Sequence, residues 1–147
     1  MSRFEQSYLI PAEAGRVFDL HLDPNNLKKL LPKSFHPTLL SYRLPLHTGS
    51  ILAIDCRYRL LSWLWEVEID TIEAEKTLRY HARQSPFGYW AHTISFEQND
   101  QGTRLSDTIE YRVPFFPIGL LLEPFIRAEL NRVAKQRAEA IKALLVH

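Results

Sequence analysis

The sequence predicts an α+β fold, a curved antiparallel sheet closed over a long C-terminal helix. Three observations carry that prediction. Residues 38–113 break into six strand-like segments joined by short turn signals, and consecutive strands with short connections pair as an antiparallel meander. Residues 118–146 then give one long amphipathic helix, with Ile126, Leu130, Val133, Ile141 and Leu144 on a single stripe. That helix can bury its stripe only by lying across one face of the sheet. Two short helices separate the meander from a first strand.

In chain order, residues 3–10 alternate as a strand until Pro11 stops them. "AEAGRVFDLHL" follows, with Ala14, Val17, Phe18 and Leu22 at helical spacing. Asp23-Pro24 reads as an N-cap and a first-turn proline, opening a second short helix through Leu27, Leu30 and Leu31. Pro32 and Pro37 bracket its exit. Strands are predicted at 38–44, 50–60, 63–73, 76–83, 89–98 and 103–113, with "HTGS", "EAEK", "QSPFG" and "NDQG" among the turns between them. Pro124 should kink or restart the final helix near its beginning.

Composition narrows the function classes. The 147 residues suit one domain, residues 1–147, large enough to bury a real core. A net charge of +1 with interspersed signs offers no basic face, so no nucleic acid is expected as a partner. One cysteine, Cys56, precludes an intrachain disulfide and any cysteine-based zinc motif, and fits a reducing cytoplasm. "MSRFEQSYLIPAEAG" lacks the apolar segment of a signal peptide. The longest apolar run, "VPFFPIGLLLEPFI", is interrupted by three prolines and a Glu. It falls short of the roughly 20 residues that a transmembrane helix needs. No P-loop, dinucleotide fingerprint or nucleophile elbow is present, so no cofactor is expected.

Charges set the register of the sheet. With "EAEK" as a hairpin turn, Glu66 opposes Arg83, Glu68 opposes His81 and Asp70 opposes Arg79 on one face. Each complementary pair is worth only about 0.2–1 kcal/mol, yet three together define the solvated side. The other face then pairs Val67 with Ala82, Ile69 with Tyr80 and Thr71 with Leu78. In the next hairpin Glu97 opposes Arg104 outside. Inside, Phe96 opposes Leu105, Ile94 opposes Asp107, His92 opposes Ile109 and Trp90 opposes Tyr111, while Tyr80 faces His92 across the "QSPFG" connection.

The inner face therefore carries Trp65, Tyr80, Trp90, His92, Asp107 and Tyr111 among aliphatics. A buried carboxylate without partners is costly, so Asp107 needs His92, a tyrosine hydroxyl, backbone donors or water. Four polar groups on a concave apolar wall are the pattern of a small-molecule site. These six residues are the candidate ligand-binding set. No metal is expected, since H-x-H, HExxH and clustered carboxylates are all missing.

"IPAEAGRVFDLHLDPNNLKKLLP", Gly49, Trp65 with Ile69, "SPFGYWAHTISF" and "LSDTIEYRVP" together resemble the START/birch-pollen-allergen-like superfamily, also called SRPBCC. Within it the chain is similar to the small bacterial proteins of the polyketide cyclase/dehydrase-like kind. The commonest form of the first motif has Gly where Ser85 stands here, and a second His where Ile94 stands. A His-pair site is therefore not complete in this chain. Asp107, Tyr111 and Pro114 match the second motif. The resemblance covers nearly the whole chain and implies the helix-grip fold. It further implies seven strands around the C-terminal helix and a deep hydrophobic cavity between them.

Three readings of His92 with Asp107 stay open at this point: a structural polar pair, a hydrogen-bonding anchor for a ligand, and an acid–base pair of a cyclase or dehydratase. The residues supply no nucleophile with an adjacent base, so binding of a hydrophobic lipid, polyketide or isoprenoid-like molecule is favoured over catalysis. Trp63 shares the parity of Trp65 and should also face inward. Phe115, Phe116, Ile118, Leu120, Leu121 and Leu122 either seat the final helix or form a cavity rim that meets a membrane or a partner protein. Arg127, Arg132, Lys135 and Lys142 read as the helix's solvated face. Arg137 falls near the apolar stripe and can reach into the cavity.

Overall fold

The computed structural model describes residues 1–115 and 117–145, without the Leu27 side chain. Phe116, in the predicted apolar run, and Val146, at the predicted helix end, lie outside these, as does the Leu27 side chain in the second helix. Seven strands form one antiparallel sheet: β1 Ser2–Ile10, β2 Thr38–Ser41, β3 Ile51–Tyr58, β4 Leu61–Glu73, β5 Thr77–Gln84, β6 Tyr89–Asn99 and β7 Gly102–Arg112. Their spatial order is β1-β7-β6-β5-β4-β3-β2. The six meander strands thus stay neighbours, and β1 closes on the far side of β7.

Between β1 and β2 lie α1 Ala14–His21 and α2 Pro24–Leu30. The Asn25 amide donates to Asp23 Oδ1 at 3.0 Å, and Pro24 fills the first helical position, where its missing N–H is not needed. The last described element is α3, Glu123–Leu145, preceded by a 3₁₀ turn over Ile118–Leu122. Pro124 stands in the first turn of α3, so the predicted break is a change of helix type at Glu123. The fold is the helix grip.

Four sequence expectations about the sheet are corrected: the end of β2 and the directly opposed pairs Thr71–Leu78, Asp70–Arg79 and Glu66–Arg83. The strand predicted at 38–44 ends at Ser41, four residues before Pro45, which has no amide to continue a ladder. In the β4–β5 hairpin, Thr71 lies opposite Arg79 and Leu78 opposite Ile72, not Thr71 opposite Leu78. The cause is the turn. Three residues, 74–76, separate the closing pair Glu73–Thr77, and Glu75 takes φ 62°. A bulge at Asp70 absorbs the offset and restores the expected pairs Ile69–Tyr80, Glu68–His81 and Val67–Ala82. A second irregularity puts Glu66 opposite Gln84.

The outer ion pairs survive both shifts, because long side chains span one residue of offset. Arg83 Nε lies 3.5 Å from Glu66 Oε1, and Arg79 Nε lies 3.7 Å from Asp70 Oδ2. The β6–β7 hairpin keeps the expected register throughout, including Glu97–Arg104, His92–Ile109 and Trp90–Tyr111. Tyr80 faces His92 across β5–β6.

α3 buries Ala134, Arg137, Ala138 and Ile141, a stripe rotated slightly from the predicted one. Small alanines let the helix approach the sheet. The hydrophobic core divides in two. One cluster holds Phe18, Leu52, Ile69, Ile94, Phe96, Leu105 and Ile141, and the other Phe4, Trp90, Ile109, Tyr111, Val113 and Ala134. What separates them is polar. His92 falls between Trp90 and Ile94, Asp107 between Ile109 and Leu105, and Arg137 between Ala134 and Ile141.

Gly102 fixes the corner where β1 passes the β6–β7 turn. It has φ +132°, and a Cβ there would sit 2.2 Å from the Ile10 carbonyl oxygen. Next to it the buried Thr103 hydroxyl donates to the Ala12 carbonyl at 2.7 Å. Gly102→Ala combines backbone strain with a backbone clash, so about 2 kcal/mol of stability should be lost. A melting curve should show this as a fall of roughly 4–8 °C; an unchanged midpoint would mean that the corner relaxes freely.

Candidate functional site

The sheet, the two short helices and α3 enclose a cavity of about 310 Å³. That is the low end of the roughly 300–1,000 Å³ usual for small-molecule sites. Its walls are mostly apolar: Leu52, Ile54, Val67, Ile69 and Leu78 from the sheet, with Ile126, Leu130 and Val133 from α3. Trp63 and Trp65 both line it, as their shared parity predicts.

One polar chain crosses this wall. Arg137 Nη2 donates to Asp107 Oδ1, and His92 Nε2 lies 2.8 Å from the same oxygen. The Tyr80 hydroxyl lies 2.5 Å from His92 Nδ1. All four side chains line the cavity. Protonation follows from the environment. Burial by itself opposes a charge on Asp107, but the Arg137 guanidinium and then His92 outweigh it and hold the carboxyl well below the usual range. Burial lowers the His92 pKa, and Arg137 adds to this against the opposing pull of Asp107.

An ionised Asp107 can only accept, so His92 carries its proton on Nε2 and donates it to Asp107. The neutral ring's Nδ1 then accepts from Tyr80, whose phenol burial pushes up and keeps protonated. Both donors converge on Oδ1. Among the described residues, Oδ2 of Asp107 has no hydrogen-bond partner, and neither do Arg137 Nε, Trp90 Nε1, Trp63 Nε1 and His21 Nε2, all buried. Each of these five residues contributes to the cavity wall. A buried polar atom without a partner costs roughly 1–3 kcal/mol, so five around one cavity mark it as a place built to meet polar groups.

Residues 1–146 match the family model described as polyketide cyclase/dehydrase and lipid transport. The chain belongs to this family. It lies within the START/birch-pollen-allergen-like superfamily. Solved structures agree on the fold. A protein from Chromobacterium violaceum superposes with a TM-score of 0.79 at 18% identity, over 99% of this chain and 98% of its own. The di-domain ARO/CYC StfQ of the steffimycin biosynthetic pathway gives a TM-score of 0.79 at 12% identity, covering 96% of this chain and 49% of StfQ. Ara h 8.0201 gives 0.67 at 13%, covering 99% and 97%. No curated protein matches the chain. The family match and these neighbours agree on a fold of the SRPBCC type.

Within that family fold, five of the six candidate residues, Trp65, Tyr80, Trp90, His92 and Asp107, stand on the cavity wall. Tyr111 does not. It is fully buried, its ring packs on Phe87 and Trp90, and its hydroxyl donates to Glu123 Oε1 at 2.6 Å. Sheet parity placed it on the inner side, but the intervening Phe87 and the start of α3 cover it. Tyr111 therefore ties β7 to α3.

His21 is a polar lining residue that sequence reasoning passed over. Ala14, Val17, Phe18 and His21 repeat at helical spacing, so the signal was present in the stripe of α1. Its Nδ1 donates to the Val17 carbonyl at 2.7 Å, its ring meets Phe96 edge-on, and burial followed by the Arg137 charge lowers its pKa to about 4.

On the outer face, Glu68, Asp70 and His81 bring potential ligand atoms within 4.8 Å of one another. Arg79 and Arg83 ion-pair with these carboxylates, and His81 Nδ1 lies 2.7 Å from Asp70. The group is part of the salt-bridged outer lattice, where two guanidiniums oppose a cation. Among the described residues, no helix is long and apolar enough to cross a membrane.

Proposed function

We propose that the chain, acting as one domain over residues 1–147, binds a hydrophobic small molecule of lipid, polyketide or isoprenoid type. Trp65, Trp90, Tyr80, His92 and Asp107 line the bound molecule, with Arg137 completing the polar wall. The observation that carries this reading is the apolar cavity with unpaired polar atoms along its wall. A dry structural core would have satisfied or dispensed with those atoms. A cytoplasmic setting fits the free, buried Cys56.

The test is a titration with the apolar fluorophore N-phenyl-1-naphthylamine, with native mass spectrometry of host-purified protein to identify a retained ligand. His92→Ala is expected to weaken binding by about 1–3 kcal/mol, the range for stranding a buried polar partner, while the fold persists. Unchanged affinity with a lowered melting temperature would instead make His92–Asp107 a structural pair.

A second reading, acid–base catalysis of the cyclase or dehydratase kind, draws on the Tyr80–His92–Asp107 chain. Geometry weighs against it: both nitrogens of His92 are engaged, and a carboxylate held so far below its usual range is a weak base. Loss of turnover by ~100-fold on a carbonyl substrate in His92→Ala, with binding kept, would favour this reading.

Loading of the cavity is the remaining step. Phe115, Ile118, Leu121 and Phe125 are exposed, and Phe125 also lines the cavity. The sheet register places the β3–β4 turn, with fully exposed Leu60, at the same end. This rim supports a transient contact with a membrane or a partner protein during ligand exchange. Flotation with phosphatidylcholine vesicles should carry the wild type and lose the Leu121→Asp/Phe125→Asp variant; no flotation of the wild type would leave a protein partner.

A further inference from the structure

We propose that the cavity selects an uncharged lipophile bearing a hydroxyl group, an alcohol or phenol rather than a carboxylic acid or phosphate ester. The proposal rests on the binding reading above and adds the chemical class of the ligand.

The charges on the cavity wall compensate one another. Three charged side chains stand on the cavity wall among the described residues: Asp107, Arg137 and Glu129. Arg137 spends its charge on Asp107. Glu129 is held by Arg132 at 2.7 Å on the α3 surface. His92 and His21 are neutral rings at pH 7. No uncompensated positive charge remains inside. An anionic head group would be desolvated beside Asp107 with nothing to balance it, which is the costly arrangement for a buried ion.

The free hydrogen-bonding atoms on the wall include both acceptors and donors. His21 donates from Nδ1 to a carbonyl, so Nε2 of its neutral ring offers a lone pair. Asp107 Oδ2 also offers only lone pairs. Both lack a partner, and both require a donor, which an ionised carboxylate or phosphate does not have. The free donors, Arg137 Nε and Trp90 Nε1, require an acceptor. A hydroxyl is the smallest group that donates and accepts at once. A plain hydrocarbon would leave all of these atoms unpaired.

The test uses one ring system with three substituents: 9-anthracenemethanol, 9-methylanthracene and 9-anthracenecarboxylate, titrated by fluorescence at pH 7.5. The alcohol is expected to bind about tenfold more tightly than the hydrocarbon, the gain of one hydrogen bond to a charged acceptor, and to exceed the carboxylate by at least as much. Asp107→Asn releases the charge of Arg137, so in this variant the carboxylate should overtake the alcohol. The wild-type ranking stands without the variant if Asp107→Asn does not fold. A wild type that prefers the carboxylate, or fails to distinguish alcohol from hydrocarbon, overturns the proposal while leaving cavity binding intact. Binding of none of the three removes the binding reading and this one together.

Discussion

Arg137→Met should cost about 3–5 kcal/mol of folding stability, the usual penalty for stranding one member of a buried ion pair. Both partners are inside: the side chain of Asp107 is 1% exposed and that of Arg137 11%. With Arg137 gone, His92 alone faces the carboxylate, and burial then pushes the Asp107 pKa up. The melting temperature is expected to fall by roughly 10 °C or more. Arg137→Met with Asp107→Asn should recover most of the loss, since the pair's worth lies in mutual compensation. Denaturant unfolding of the two single variants and the double variant measures the coupling. Additive losses would show that the two side chains do not depend on each other, and the account of the polar wall would fall.

Acidification from pH 6.5 to 4 should remove about 3 kcal/mol through His21 alone. In the folded chain this ring stays neutral down to about 4, whereas in the unfolded chain it takes a proton near 6.5. Between those values the unfolded state binds more protons, so stability falls as pH falls. His92, also lowered by burial, acts in the same direction. Asp107 behaves separately. Its depressed carboxyl stabilises the fold above the unfolded value of 3.8, and that contribution is lost only below it. Unfolding midpoints across pH 7.5 to 2 should therefore show one decline above pH 4 and another below. His21→Phe should flatten the first and spare the second; an unaltered slope would refute the assignment. Arg137→Met should also flatten the first, because Arg137 lowers the pKa of both rings.

Much of this protein could be read from residue order. Alternation in "YWAHTISF" and in the strand that follows fixed which face is buried, because a strand's side chains have a period of two and a one-residue slip would expose every aromatic. Complementary charges at Glu66, Glu68, Asp70, Arg79 and Arg83 marked the outer face. The prolines and Asp23 marked the short helices, since caps and first turns depend on local hydrogen bonding alone. From these came the α+β fold, a curved sheet over the C-terminal helix, and five of the six candidate site residues on the cavity wall.

Tertiary structure decided the rest. The bulge at Asp70 depends on how the 74–76 turn closes against β4, a geometry that pairing charges tolerate and so do not report. Tyr111 has the parity of a wall residue, but Phe87 and α3 pack over it, and parity describes a face of the sheet without saying what covers it. Arg137 and His21 come from helices remote in sequence from Asp107. Residue order put Arg137 beside the apolar stripe. Only the docking of α3 on the sheet brought its guanidinium to the Asp107 carboxylate, where two opposite charges 30 residues apart in the chain make one neutral wall. That neutrality is a property of the assembled cavity, set by long-range packing that no local pattern encodes.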